Sequence, residues 1–241
     1  MDWFSTRTIS RYLVMLNFAC VYYGDKYTFP YVRNLHSMVE RNLTVPHRFI
    51  CFTDNTVIHK RKEFKNTNIE FKPFKRHDFN GWFNKLQLFS PQSELEGDTL
   101  YMDLDVVIMK NIDCFATIGE SKNFVGMNDF NPTTGNFNSS IMRFNNQYHS
   151  IIWEQYLKKR TEFTMAHGDQ EIISSLIKKH EDTISFPDEW TQSYKWLNRK
   201  GERYHTTKMT YEQDPNAKVC VFHGSPNPAE STQKWVQELW K

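Results

Sequence analysis

The chain has 241 residues, enough for one large α/β domain with a substantial core. Its net charge of +2 argues against a nucleic-acid binder, which would carry a dense basic face; local pieces such as His59-Lys60-Arg61-Lys62 read as solvated surface. The first long apolar run, residues 12–23, contains Asn17, is too short to span a bilayer and is not followed by a small-residue cleavage site, so no transmembrane segment and a cytoplasmic location are expected.

Residues 1–10 are polar and read as a loose arm. Residues 12–23 read as a buried strand ended by the turn pair Gly24-Asp25. After Pro30, the residues Tyr31, Leu35, Met38 and Val39 fall on one helical face. Residues 47–52 form a second buried strand closed by Thr53-Asp54-Asn55, and Ile69 and Phe71 mark a third. Trp82, Leu86 and Phe89 predict a short helix stopped by Pro91. Residues 99–102 are apolar, are interrupted by two carboxylates, and resume as Val106-Val107-Ile108-Met109. Further strands are expected at 124–126 and 141–144, and helices around Ile152, Trp153, Tyr156 and Leu157 and around Ile172, Ile173, Leu176 and Ile177. A strand over 218–222 and a helix carrying Trp235, Val236, Leu239 and Trp240 complete the chain.

Strands and helices alternate in the first half and mix in the second. That order predicts a mostly parallel central sheet flanked by helices, with a smaller mixed β region in the second half. In such sheets ligands bind beyond the carboxyl ends of the strands. The cysteines Cys20, Cys51, Cys114 and Cys220 sit in or beside apolar runs with no C-x-x-C pair, which fits free thiols rather than a zinc or redox site.

Chemistry concentrates at Tyr101-Met102-Asp103-Leu104-Asp105-Val106-Val107. If this stretch is a strand, Asp103 and Asp105 point to the same side and can converge on one cation. Hard carboxylate oxygens suit Mg²⁺ or Mn²⁺ with substrate phosphates. A turn or a surface pair is the plain alternative. His223 follows a strand and precedes Gly224, so an imidazole could complete a metal sphere while Gly224 lets backbone approach a phosphate; a structural strand-end histidine is the alternative.

With these residues in view, the chain resembles the glycogenin-like and bacterial galactosyltransferase-like retaining glycosyltransferases, family 8, of GT-A fold. Val21-Tyr22-Tyr23-Gly24-Asp25-Lys26-Tyr27 resembles the family's nucleotide-binding segment, with Tyr27 expected to stack on uracil. Arg76 and Lys85 stand where the family contacts the donor ahead of its D-x-D. Asp103-Leu104-Asp105, Asn138-Ser139 and His223-Gly224 match further family segments, and Asp169-Gln170 matches its Asp-Gln pair near the sugar. The resemblance implies one GT-A domain over 1–241, with a nucleotide-binding half at 1–130 and an acceptor-side half at 131–241. It also implies Asp103, Asp105 and His223 as ligands to Mn²⁺ or Mg²⁺, a UDP-sugar donor, and a carbohydrate or glycoconjugate acceptor. The chain departs from the pattern at Asn227, where a diphosphate-binding lysine is expected, and at Ala166 or His167, where the family has an aspartate. Lys195 is read as the replacement cation, with a solvent-facing lysine as the alternative and Arg199, Lys200 and Arg203 close behind it; Trp190, Tyr194 and Trp196 are read as exposed acceptor-side rings, with a small satellite core as the alternative. Two rival readings stand at this point: a haloacid-dehalogenase-like phosphatase, and an inactive nucleotide-sugar-binding module.

Overall fold

The computed structural model describes residues 15–131, 133–177, 182–196 and 212–241. The polar arm over 1–10 and the cations Arg199, Lys200 and Arg203 lie outside them.

A seven-stranded sheet forms the centre. It contains β1 (Leu16–Tyr22), β2 (His47–Thr53), β3 (Ile69–Pro73), β4 (Asp98–Met102), β6 (Phe124–Asn128), β7 (Phe137–Asn145) and β8 (Thr183–Ser185), in the order β3-β2-β1-β4-β7-β6-β8. Only β7 runs against its neighbours. A small mixed sheet joins β5 (Val106–Ile108), β10 (Val219–Val221) and β9 (Thr191–Ser193) in that order. The α-helices are α1 (Phe29–Asn42), α2 (Asp113–Thr117), α3 (Asn146–His149), α4 (Ile151–Lys158), α5 (Asp169–Ile177) and α6 (Lys234–Leu239). Among the described residues no helix is long and apolar enough to cross a membrane. All four cysteines are free thiols.

Every residue of β1 is buried, as expected of a central parallel strand covered on both faces. Its side chains alternate between two cores. Phe18, Cys20 and Tyr22 join α1 residues such as Leu35 and Met38 on one face; Ala19 and Val21 join Leu86, Ile152 and Ile173 on the other. Each large side chain buried in this way contributes about 1.5–3 kcal/mol. Helix α1 has Pro30 in its first turn and buries Tyr31, Leu35, Met38 and Val39, the stripe read from the sequence.

The chain runs β1, β2, β3 outward in one direction and then returns to place β4 on the other side of β1. Such a reversal opens a crevice beyond the carboxyl ends of the two central strands. Here those ends carry Tyr23 and Asp103.

The short helix expected around Trp82, Leu86 and Phe89 forms over Gly81–Phe89, wound as a 3-10 helix. One local expectation is corrected. Asp103 and Asp105 do not share a strand: β4 ends at Met102, β5 begins at Val106, and the D-x-D is the turn where the chain passes from the large sheet to the small one. The turn is pinned on both sides. The Asp103 N–H donates to the Ser140 carbonyl (2.9 Å), and the Asp105 carbonyl accepts from the Phe222 N–H (3.1 Å).

Candidate active site

A cleft of about 370 Å³ opens where β1 and β4 end. Val21 and Tyr23 enter it from β1 and Tyr101 from β4; Asp103, Leu104 and Asp105 come from the crossing turn. Asn138, Ser139 and Ser140 come from β7, Asp169 and Gln170 from the start of α5, and His223 and Gly224 from beyond β10. A bulge places the β7 group: the β6–β7 register shifts between Gly126 and Met127. Gly126 is required beside that shift, because a Cβ there would stand 2.7 Å from a Phe137 ring carbon.

Lys85 organises the interior. Its ammonium is buried and lies 3.0 Å from Asp103 Oδ1 and 2.9 Å from Asp169 Oδ2. It also donates to the Ser139 hydroxyl at 3.1 Å and the Ser139 carbonyl at 3.3 Å. The Ser139 hydroxyl in turn donates to Asp169 Oδ2 (2.7 Å), and the Tyr101 hydroxyl to Asp103 Oδ1 (2.6 Å). Burial works against the Lys85 charge, yet Asp103 and Asp169 hold it above the ordinary lysine range. Burial likewise opposes the Asp103 charge, and Lys85 with the Tyr101 hydroxyl outweighs it, keeping this carboxyl below its usual range.

Asp105 is less well balanced, since Lys26 counters its charge by less than burial and Asp103 oppose it. Burial, and then the neighbouring Asp103 charge, push its carboxyl up to about 6, against one donated hydrogen bond from the Tyr27 hydroxyl (2.7 Å). The same crowding, after burial, raises Tyr23 to about 12. Two pressed carboxylates with hard oxygens are the chemistry a divalent cation relieves, so the pair fits Mg²⁺ or Mn²⁺. Among the described residues, however, no three His, Cys, Asp or Glu side chains are gathered as a ligand set. His223 lines the same cleft, its ring edge-on to Phe130 at 5.5 Å.

The cleft does not take in every residue expected there. Tyr22 alternates onto the opposite face of β1 and packs near Phe29, with ring centroids 5.8 Å apart. Arg76 lies outside the cleft, forked onto Asp78 at 2.8 and 2.9 Å beside the Trp153 ring. Lys195 is close: its ammonium donates to the His223 carbonyl and would be 3.7 Å from a Cβ on Gly224. Gly224 itself adopts φ +73°, a conformation that favours glycine. Asn227 heads a short 3-10 helix, its N–H donating to Glu230 Oε2 at 2.7 Å.

Of the two readings of Trp190, Tyr194 and Trp196, the packed core holds and the exposed acceptor-side rings do not. Tyr194 is buried, stacked on Phe222 at 4.1 Å and bonded through its hydroxyl to Ser231. Trp190 packs on Phe115 and Phe186, and Trp196 against the same core. Contacts with Phe115, Phe186 and Phe222 turn Trp190 and Tyr194 inward, despite the polar composition around them.

Conversely, Lys26, Trp82, Tyr101, Ser140 and His167 line the cleft and were not singled out. Tyr101 had a signal, since it lies two residues before Asp103 and so shares its side of the chain. Lys26, poised 4.6 Å over the Tyr27 ring, adjoins a residue already chosen. Trp82 carried no local signal beyond its size.

No family model and no curated protein matches the sequence. Solved structures do. The galactosyltransferase LgtC, in complex with donor and acceptor sugar analogs, aligns with a TM-score of 0.61 at 15% identity over 92% of this chain and 94% of that one. The glycosyltransferase GlyE of Streptococcus pneumoniae TIGR4 aligns with a TM-score of 0.64 at 14% identity, over 94% of this chain and 60% of its own. Mouse xyloside xylosyltransferase 1 gives 0.54 at 12% identity over 88% and 98%. The chain therefore has the mixed α/β GT-A fold of glycosyltransferases such as LgtC.

Proposed function

We propose that this protein is a metal-dependent glycosyltransferase that moves a hexose from a UDP-sugar to a carbohydrate or glycoconjugate acceptor, with retention of anomeric configuration. The observation that carries the reading is the cleft at the ends of β1 and β4, where Asp103, Asp105, Lys85 and Asp169 converge. A single domain over residues 1–241 provides it, the first 130 residues supplying most of the nucleotide side.

Asp103 and Asp105 would hold Mn²⁺ or Mg²⁺, with His223 as the third donor, and the bound ion supplies Lewis-acid stabilisation of the leaving diphosphate. The residues themselves divide the remaining work. The Tyr27 ring offers a face for the uracil base beside Val21 and Tyr23, and its hydroxyl orients Asp105. Leu104 holds the spacing of the turn from within the core. Lys26 and Lys195 flank the cleft and provide charge-assisted hydrogen bonds to the diphosphate, in place of the cation missing at Asn227. Asn138 and Ser139 bind the sugar hydroxyls. Asp169 and Gln170 flank the anomeric carbon, Asp169 held in place by Lys85 and Gln170 oriented by its bond to Asp129 Oδ2 (2.8 Å). Arg76, committed to Asp78, has no part in donor binding.

The test is turnover of UDP-glucose and UDP-galactose with Mn²⁺, read as released UDP. Release that stops in chelator and in Asp103→Asn supports the proposal. Hydrolysis of simple phosphomonoesters instead would favour a phosphatase, and UDP binding without any turnover an inactive binding module.

A further inference from the structure

The contacts within the cleft give it a direction. Tyr27 bonds Asp105, Asp105 and Asp103 share one turn, and Lys85 joins Asp103 to Asp169. Gly168, just before Asp169, lies against Trp82: a Cβ on this glycine would stand 3.3 Å from the indole Nε1. One end therefore carries Lys26 and Tyr27, and the other closes on Trp82. A cavity of about 370 Å³ is small for a ligand site, since such pockets span about 300–1,000 Å³. A nucleotide sugar would fill it, and an acceptor would have to approach past the Trp82 end.

Trp82 is 47% exposed, unusual for so large a ring. Beyond it the surface continues into a second hollow of about 250 Å³, lined by Phe79, Asn80, Phe83, Tyr156, Arg160 and Phe163. Phe83 forms the step between the two, its ring centroid 6.4 Å from that of Trp82. The floor is built in place: Phe79 and Tyr156 are buried, and Phe163 stacks on Tyr156 at 5.9 Å. Arg160 lies over Phe79 at 4.7 Å and is tied to Asp78. Ring faces are electronegative and accept the C–H face of a sugar. The exposed Asn80 amide offers donors at the rim for hydroxyls.

We infer that the acceptor is an oligosaccharide, with the sugar nearest the reacting end stacked on Trp82 and the next sugar seated in the hollow between the half-buried Phe83 and Phe163, above a floor of Phe79 that Trp153 and Arg160 already cover. This rests on the glycosyltransferase reading. It is tested by applying the protein, with UDP and Mn²⁺, to an array of defined mono-, di-, tri- and tetrasaccharides, with UDP affinity measured in parallel by titration calorimetry. Di-, tri- and tetrasaccharides should be retained and the matching monosaccharides not. Trp82→Ala and Phe163→Ala should each cut retention about tenfold or more, with Trp82→Phe, which keeps a ring, losing less; UDP affinity should stay within about twofold in Phe163→Ala, whose ring lies outside the donor cleft. Equal retention of monosaccharides and longer chains, retention of no glycan, or full retention by both alanine variants overturns the inference and leaves the donor reading intact wherever UDP still binds. Failure of the unsubstituted protein to bind UDP overturns the donor reading and this inference with it.

Discussion

Replacing Lys85 with methionine keeps the length of the side chain and removes its charge. Asp103 and Asp169 would then be left facing one another at the positions now 3.0 and 2.9 Å from the ammonium, both in a buried setting. Removing one partner of a buried ion pair costs about 3–5 kcal/mol, because the remaining charge stays desolvated. For a domain of this length each kcal/mol lowers the melting temperature by about 2–4 °C, which places Lys85→Met roughly 6–20 °C below the unsubstituted protein. The loss also depends on pH. Asp103 is held below its ordinary carboxylate range, so its contribution is present above the unfolded value near 3.9 and is lost as pH falls through the lower folded value. Lys85 is held above its ordinary range, so its contribution is complete below about pH 10. The gap between the two proteins should accordingly be full from about pH 5 to 9 and narrow below about pH 4. Thermal melts followed by circular dichroism in chelator at pH 7.5 and pH 4 measure it. A drop of less than about 2 °C at pH 7.5 would refute the reasoning.

Asp105→Asn, in chelator, should stabilise the protein at pH 8. The carboxyl titrates near 6 in the fold, against about 3.9 unfolded, so ionisation costs the native state about 3 kcal/mol above pH 6 and nothing below pH 4. A lower melting temperature for this variant at pH 8 would contradict that electrostatic picture. Arg76→Ala should leave UDP affinity in Mn²⁺ unchanged by calorimetry, since its guanidinium is spent on exposed Asp78; a loss beyond a few-fold would return Arg76 to the donor site. Lys26→Ala and Lys195→Ala should each weaken UDP binding about tenfold, as loss of a charge-assisted bond to phosphate does. Unchanged affinity in both would leave the cations at the diphosphate unidentified.

The sheet and most helices were legible because their residues carry strong periodicity. The β1 run, the α1 stripe at Tyr31, Leu35, Met38 and Val39, and the alternation through Ile69 and Phe71 all fall where the elements form. The D-x-D drew notice through two carboxylates interrupting an apolar run, yet that pattern does not distinguish a single strand from two strands separated by a crossing turn. Only the bonds from Asp103 to Ser140 and from Phe222 to Asp105 do so, and they join segments far apart in sequence. Tyr22 and Arg76 show a different limit. A matched segment names neighbours together, but strand alternation sends Tyr22 away from the cleft, and a nearby aspartate captures Arg76. The exposed-ring reading of the aromatics fails for a related reason. Trp190 and Tyr194 sit among polar residues and are nevertheless packed inward, whereas Trp82, placed on an apolar helical face, is left exposed at the end of the cleft.

The central claim is that Asp103, Asp105 and His223 form a cation site that receives a nucleotide diphosphate. Pulsed electron paramagnetic resonance of the protein with Mn²⁺ and UDP addresses it directly. Hyperfine coupling from the bound ion to phosphorus and to an imidazole nitrogen is expected. The nitrogen coupling should vanish in His223→Gln, and the bound-ion signal should be lost in Asp103→Asn. A bound ion with no phosphorus coupling, or no bound ion in the presence of UDP, would contradict it.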